Sequence, residues 1–172
     1  ECAANHPHRV TTMTSLSTPH PSAMVRAALR STQGLKSLYM LFFQLPFLPE
    51  MGFGIAKKPM RRVLVRDGMP EDYLDEYMTL LGQKGAARGA FNWYRALLLS
   101  PPRGIGAIAV PTMYVYGTDD VALGRKAADL TADYCTGEYR YEILDGVSHW
   151  IPEEMPEVVA KLVLDFVAKQ SV

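Results

Sequence analysis

The chain has 172 residues, 48% of them apolar and 21% charged, the composition of a globular domain able to bury a core rather than of a disordered or fibrous chain. Its 18 Lys and Arg cancel its 18 Asp and Glu. No net positive field gathers phosphates, and no basic stripe with interleaved aromatics points to nucleic acid.

In chain order, the opening Glu1 to Pro7 reads as the tail of a helix already under way, so the chain is expected to begin mid-fold. Val10 to Thr18 is rich in β-branched residues and stops at Pro19, which predicts a strand running into the loop Pro19-His20-Pro21. The most apolar run, Leu38 to Phe43, is far too short to span a membrane. From about Ser22 to Pro102 no strand is predicted. Pro70 to Leu81 opens on Glu71 and Asp72, a favourable helix start, and Ala86 to Leu99 is a second helical stretch closed by Ser100-Pro101-Pro102. Val110 to Tyr116 is a strand closed by Gly117-Thr118-Asp119-Asp120. Arg125 to Thr136 is a helix with Gly137 as its stop, and Tyr139 to Leu144 is a strand closed by Asp145-Gly146. Pro156 begins a last helix whose Val158, Val159, Leu162, Val163, Phe166 and Val167 form a one-sided stripe that should pack on a sheet.

The two ends thus alternate strand and helix, as in a parallel sheet covered by helices. The helical middle is too long for a connection and is expected to be a subdomain. The expected division is residues 1–21 and 103–172 in an α/β core, with 22–102 inserted. Cys2 and Cys135 show neither CxxC spacing nor a His cluster, which disfavours zinc or a disulfide framework and favours free thiols in a reducing, cytoplasmic setting.

Ligands of open parallel sheets bind beyond the C-terminal strand ends. Two such ends carry ionisable groups: Asp119 and Asp120 after one strand, and His149 in Gly146-Val147-Ser148-His149-Trp150 after the next. An Asp after a strand is most often a turn former, and a lone loop His is most often solvated or structural. Together, acid before histidine late in an α/β pattern, they match the base half of a nucleophile-base-acid arrangement.

Further residues bear on identity. Ser17-Thr18-Pro19-His20-Pro21, the block Tyr39 to Pro46, Phe91-Asn92-Trp93-Tyr94-Arg95, Val110-Pro111-Thr112, Tyr116 to Asp120 and Gly146 to Trp150 resemble soluble epoxide hydrolases in order and spacing along essentially the whole chain. The resemblance implies an α/β-hydrolase fold with residues 22–102 as a helical lid. It implies Asp120, rather than Asp119, as acid and His149 as base. Tyr39 and Tyr94 match the two lid tyrosines that donate hydrogen bonds to the epoxide oxygen, and Trp150, Met40 and Phe43 match positions lining the apolar pocket. Two phenols suit that work, because ring opening develops negative charge on oxygen and donors already aimed there lower the barrier. Read without the resemblance, Tyr39 and Tyr94 are two of nine tyrosines in an aromatic-rich segment and pack there.

The implied partner is a small hydrophobic epoxide; no metal or organic cofactor is implied, and a homodimer is left open. The chain lacks a Gly-x-Asp-x-Gly or Gly-x-Ser-x-Gly turn. The nucleophilic Asp is therefore expected upstream of Glu1, and the chain alone is expected to be incomplete and inactive. The competing readings are a haloalkane dehalogenase or esterase on the same fold, or a non-catalytic binding protein.

Overall fold

The structure, a computed structural model, describes residues 1–31, 33–36, 38–99 and 105–170, with the backbone alone at 35, 53, 54 and 98. In chain order the helices are α1 (Cys2–Asn5), α2 (Pro21–Ala28), α3 (Gln33–Lys36), α4 (Tyr39–Phe43), α5 (Leu48–Ile55), α6 (Lys57–Arg66), α7 (Glu71–Leu81), α8 (Ala86–Leu99), α9 (Arg125–Leu130), α10 (Ile151–Glu154) and α11 (Pro156–Lys169). The strands are β1 (Met13–Leu16), β2 (Thr112–Gly117) and β3 (Tyr139–Leu144).

The strands form one parallel sheet in the order β1-β2-β3, with Met13 opposite Thr112 and Thr112 opposite Tyr139. All six residues of β2 are buried, as a central parallel strand covered on both faces requires. On one face Met113 and Val115 meet Val147, Ile151 and Phe166, with Val159, Leu162 and Val163 alongside. Of the predicted stripe of α11, Val159, Leu162, Val163 and Phe166 pack on the sheet, whereas Val158 is not part of that cluster and Val167 is 40% exposed. On the other face Tyr114 and Tyr116 cover Ala128, and Ala23 and Ala27 of α2 lie against Ala127 and Leu130 of α9. With alanine at three of these four positions, the two helices can approach closely.

Three expectations shift. The strand predicted over 10–18 is only Met13–Leu16, because Ser17 turns into the left-handed region at φ 47 and Pro19 follows. The helix predicted over 125–136 ends at Leu130 and continues as a single 3-10 turn, Thr131–Tyr134. Gly137 is not its cap: the chain passes so close to Ala109 there that a Cβ would collide with the Ala109 carbonyl, beside the bridge between Ile108 and Cys135.

The chain divides into two compact units, residues 1–36 with 104–172, and residues 37–103. The expected boundary at residue 22 differs from this, because α2 is anchored on α9 and α3 follows it into the first unit. The predicted stop at Ser100-Pro101-Pro102 lies outside the described residues. The second unit holds α4 to α8. Arg61 of α6 bridges Glu71, at 2.8 Å, and Asp75 of α7. Among the described residues no helix is long and apolar enough to cross a membrane. Cys2 and Cys135 are free thiols.

Candidate active site

In the first unit, Asp120 sits three residues beyond the end of β2 and His149 five residues beyond β3. Adjacent parallel strands leave the sheet at the same edge, so both loops start side by side. They are then locked together. The Asp119 N–H donates to the Val147 carbonyl at 3.0 Å, and the Thr118 N–H to the Leu144 carbonyl at 3.0 Å. Thr118 Oγ1 donates to Asp145 at 3.1 Å and accepts the Gly146 N–H at 2.8 Å. Gly117 is required by this approach, since a Cβ would lie 2.6 Å from the Ser148 carbonyl oxygen and closer still to that of Val147.

His149 Nδ1 lies 2.8 Å from Asp120 Oδ2. The Asp120 side chain is fully buried, whereas that of His149 is 31% exposed. The other oxygen, Oδ1, accepts the N–H groups of Ala122 at 2.8 Å and Leu123 at 2.7 Å. One carboxylate thus does both jobs weighed for it, capping its own turn with Oδ1 and orienting the histidine with Oδ2. Against an acceptor-only carboxylate the imidazole must carry its proton on Nδ1, which leaves Nε2 as an acceptor able to take a proton from water. Asp119 is exposed and makes no such contact; its carboxylate is reached by Thr118 Oγ1 at 3.5 Å.

The histidine loop has its own brace. Glu154 of α10 accepts from the Ser148 N–H at 2.8 Å and from Ser148 Oγ at 2.6 Å, while Ser148 Oγ accepts the Trp150 N–H at 3.1 Å. Trp150 stands edge-on to His149 with ring centroids 5.5 Å apart. At the end of β1, Ser17 combines a left-handed backbone with a buried hydroxyl that has no hydrogen-bond partner among the described residues. Both features cost stability, and they coincide at a strand end.

The remaining four predicted residues share the second unit. Phe43 of α4 packs on Tyr39 at 5.4 Å and on Tyr94 of α8 at 4.9 Å, and the two tyrosine rings lie 6.1 Å apart in a T-shaped arrangement. Met40 is half-buried on the same short helix. Arg95 holds α4 and α8 together. Its guanidinium donates to the Phe43 carbonyl at 3.0 Å, to the Leu45 carbonyl at 2.8 Å, to Glu50 at 2.6 and 3.1 Å and to Asn92 at 3.0 Å. Gln44 adds a bond from Nε2 to the Tyr94 carbonyl at 3.0 Å. The Arg95 guanidinium holds the Glu50 carboxyl below its usual range, mainly through their hydrogen bonds. A separate cavity of about 590 Å³ in this unit is lined by Gln44, Phe47, Glu50, Lys84, Arg88 and Arg95 rather than by the two phenols. No set of three or more His, Cys, Asp or Glu gathers as metal ligands among the described residues.

The sequence reading singled out Asp120 and His149 but gave no bracing role to Thr118, Ser148, Glu154 or Arg95. Thr118, Ser148 and Arg95 lay in motifs that drew attention; Glu154 did not.

A parallel sheet with Asp120 and His149 beyond adjacent strand ends, and a helical insertion between the first two strands, has the α/β-hydrolase fold of the solved epoxide hydrolases it aligns with. No protein-family model matches the chain. Within that fold the chain resembles epoxide hydrolases. It is 29% identical over 177 residues to human epoxide hydrolase 4, covering 96% of this chain and 49% of that protein. It is 29% identical over 185 residues to the AB hydrolase superfamily protein YfhM of Bacillus subtilis, covering 98% of this chain and 61% of that protein. Among solved structures, a Bacillus megaterium epoxide hydrolase in complex with an inhibitor aligns with a TM-score of 0.79 at 19% identity, covering 96% of this chain and 63% of that one. Epoxide hydrolase A of Mycobacterium thermoresistibile aligns with a TM-score of 0.68 at 21% identity, covering 96% and 64%. The chain spans about half the length of the curated epoxide hydrolases it matches.

Proposed function

We propose that the chain supplies the acid, the base and the lid phenols of an epoxide hydrolase whose nucleophilic Asp lies outside these 172 residues. The nucleophile's carboxylate attacks an epoxide carbon, the ring C–O bond breaks, and Tyr39 and Tyr94 donate to the oxygen that gains charge. His149, oriented by Asp120, then takes a proton from water as that water attacks the resulting ester, releasing the nucleophile and a vicinal diol. Trp150 in the first unit, and Met40 and Phe43 in the second, are the apolar residues assigned to substrate binding by the resemblance. The observation that carries this reading is the Asp120–His149 contact of 2.8 Å, supported by two phenol rings 6.1 Å apart in the inserted unit.

The test is turnover of styrene oxide by the full-length protein and its Tyr94→Phe variant. The expected result is diol formation that slows about 10- to 100-fold in the variant. Hydrolysis of a simple ester with no diol formed, and no response to Y94F, would replace this reading with an esterase.

A further inference from the structure

The loop that carries Asp120 is held by more than the sheet. Gln33 on α3 is 1% exposed, and its amide spans that loop. Nε2 donates to the Ala122 carbonyl at 3.0 Å, and Oε1 accepts the Gly124 N–H at 2.6 Å. Lys36, three residues on, donates from Nζ to the carbonyl of Asp120 itself at 3.0 Å. The same Ala122 gives its N–H to Asp120 Oδ1. Ala122 is therefore tied on one side to the carboxylate and on the other to Gln33.

A primary amide suits this place because it offers a donor and an acceptor at one end without charge. A carboxylate of equal length would confront the Ala122 carbonyl with a second acceptor, and an apolar side chain would leave both loop groups unpaired in a buried setting. The backbone of α3 is set in turn by Ser31, whose Oγ accepts the Gln33 N–H at 3.2 Å and donates to the Ala27 carbonyl at 2.8 Å. The chain of contacts runs from α2, already anchored on α9, through Gln33 to the turn that aims Oδ2 at His149.

We propose that Gln33 is a positioning residue for the acid, acting through residues 120–124 to hold the Asp120 carboxylate against His149 Nδ1. This rests on reading Asp120 and His149 as acid and base, but not on an epoxide being the substrate. Removing the clamp lets the loop relax, the carboxylate drifts, and the imidazole loses the contact that keeps its proton on Nδ1.

The experiment uses the full-length protein and two readouts: the ring tautomer of His149 by long-range proton–nitrogen NMR correlation, and the split between kcat and KM. In wild type the proton resides on Nδ1. In Gln33→Leu the ring is expected to shift toward the tautomer protonated on Nε2, with kcat down about 10- to 100-fold and KM little changed. A residue that only stabilises the fold would lower the melting temperature and leave the tautomer alone, so a folded Q33L with a wild-type tautomer and kcat overturns the proposal. If Q33L does not fold, Gln33→Glu, which keeps the Gly124 bond, and Lys36→Met, which removes only the bond to the Asp120 carbonyl, take its place; an unaltered tautomer in both overturns it. A shifted tautomer in a protein that opens no epoxide leaves the positioning role standing and rejects the substrate reading instead.

Discussion

The imidazole of His149 reaches Asp120 at 2.8 Å with a fully buried carboxylate on one side and solvent access on the other. That asymmetry gives the two nitrogens different tasks, Nδ1 held and Nε2 available. It also separates Asp120 from its neighbour Asp119, which sequence alone leaves one residue apart in the same turn.

Asp120→Asn is expected to lower turnover on the order of 10³-fold, because an amide at this position favours the wrong histidine tautomer. Asp119→Asn, on an exposed side chain, should change turnover less than about twofold. Steady-state kinetics on both variants check the assignment, and the opposite ranking would move the acid to Asp119.

Gly117→Ala is expected to destabilise the first unit by about 1–3 kcal/mol and to displace the histidine loop, since the added methyl meets the Val147 and Ser148 carbonyls. Denaturant unfolding reads the first effect, and loss of turnover in the fraction still folded reads the second.

Arg95→Met should destabilise the second unit by leaving Glu50 and two backbone carbonyls without their donor, read as a lower denaturant midpoint. Its pH dependence follows from the depressed Glu50 carboxyl. A lowered acid contributes its stability fully above its unfolded value and loses it as pH falls through the folded value. The gap between wild type and R95M should therefore be widest at neutral pH and narrow in acid to the share of the carbonyl contacts. A gap of the same size at both ends would assign the stabilisation to the carbonyl contacts alone.

His20 offers a pH test in the first unit. Burial pushes its imidazole below the ordinary value, against a hydrogen bond to Gly106 that pulls it up. Its Nδ1 accepts the Ser22 N–H at the start of α2, and its ring stacks on Tyr134 at 4.6 Å. A base with a lowered folded value is protonated more readily unfolded than folded, so the native state loses stability as pH drops below about 6.5. Thermal melts between pH 7.5 and about 5 should show this slope in wild type and a shallower one in His20→Gln.

The outer layers of the fold were legible because they rest on local rules. Val159, Leu162, Val163 and Phe166 recur at helical spacing and do pack on the sheet; the strand expected over Val110 to Tyr116 overlaps the fully buried central strand, Thr112–Gly117, with its ends shifted by one or two residues. The 3-10 turn after Leu130 and the close pass at Gly137 were not legible, since both depend on how near the 109 and 137 segments come. Asp120 and His149 could be singled out by their places after strands. Gln33 and Arg95 could not be assigned their work, because the groups they hold lie up to 91 and 52 residues away.

What this sequence settled unaided was the alternation of element types and the two strand ends that bear acid and histidine, because side-chain period, β-branching and Gly or Pro stops act within a few residues of themselves. What tertiary structure decided was which Asp120 oxygen turns to His149, which amide clamps its loop and which guanidinium ties α4 to α8. Those outcomes are hydrogen bonds between distant segments, where leaving a buried donor without an acceptor is costly, and that matching exists only once the segments have met.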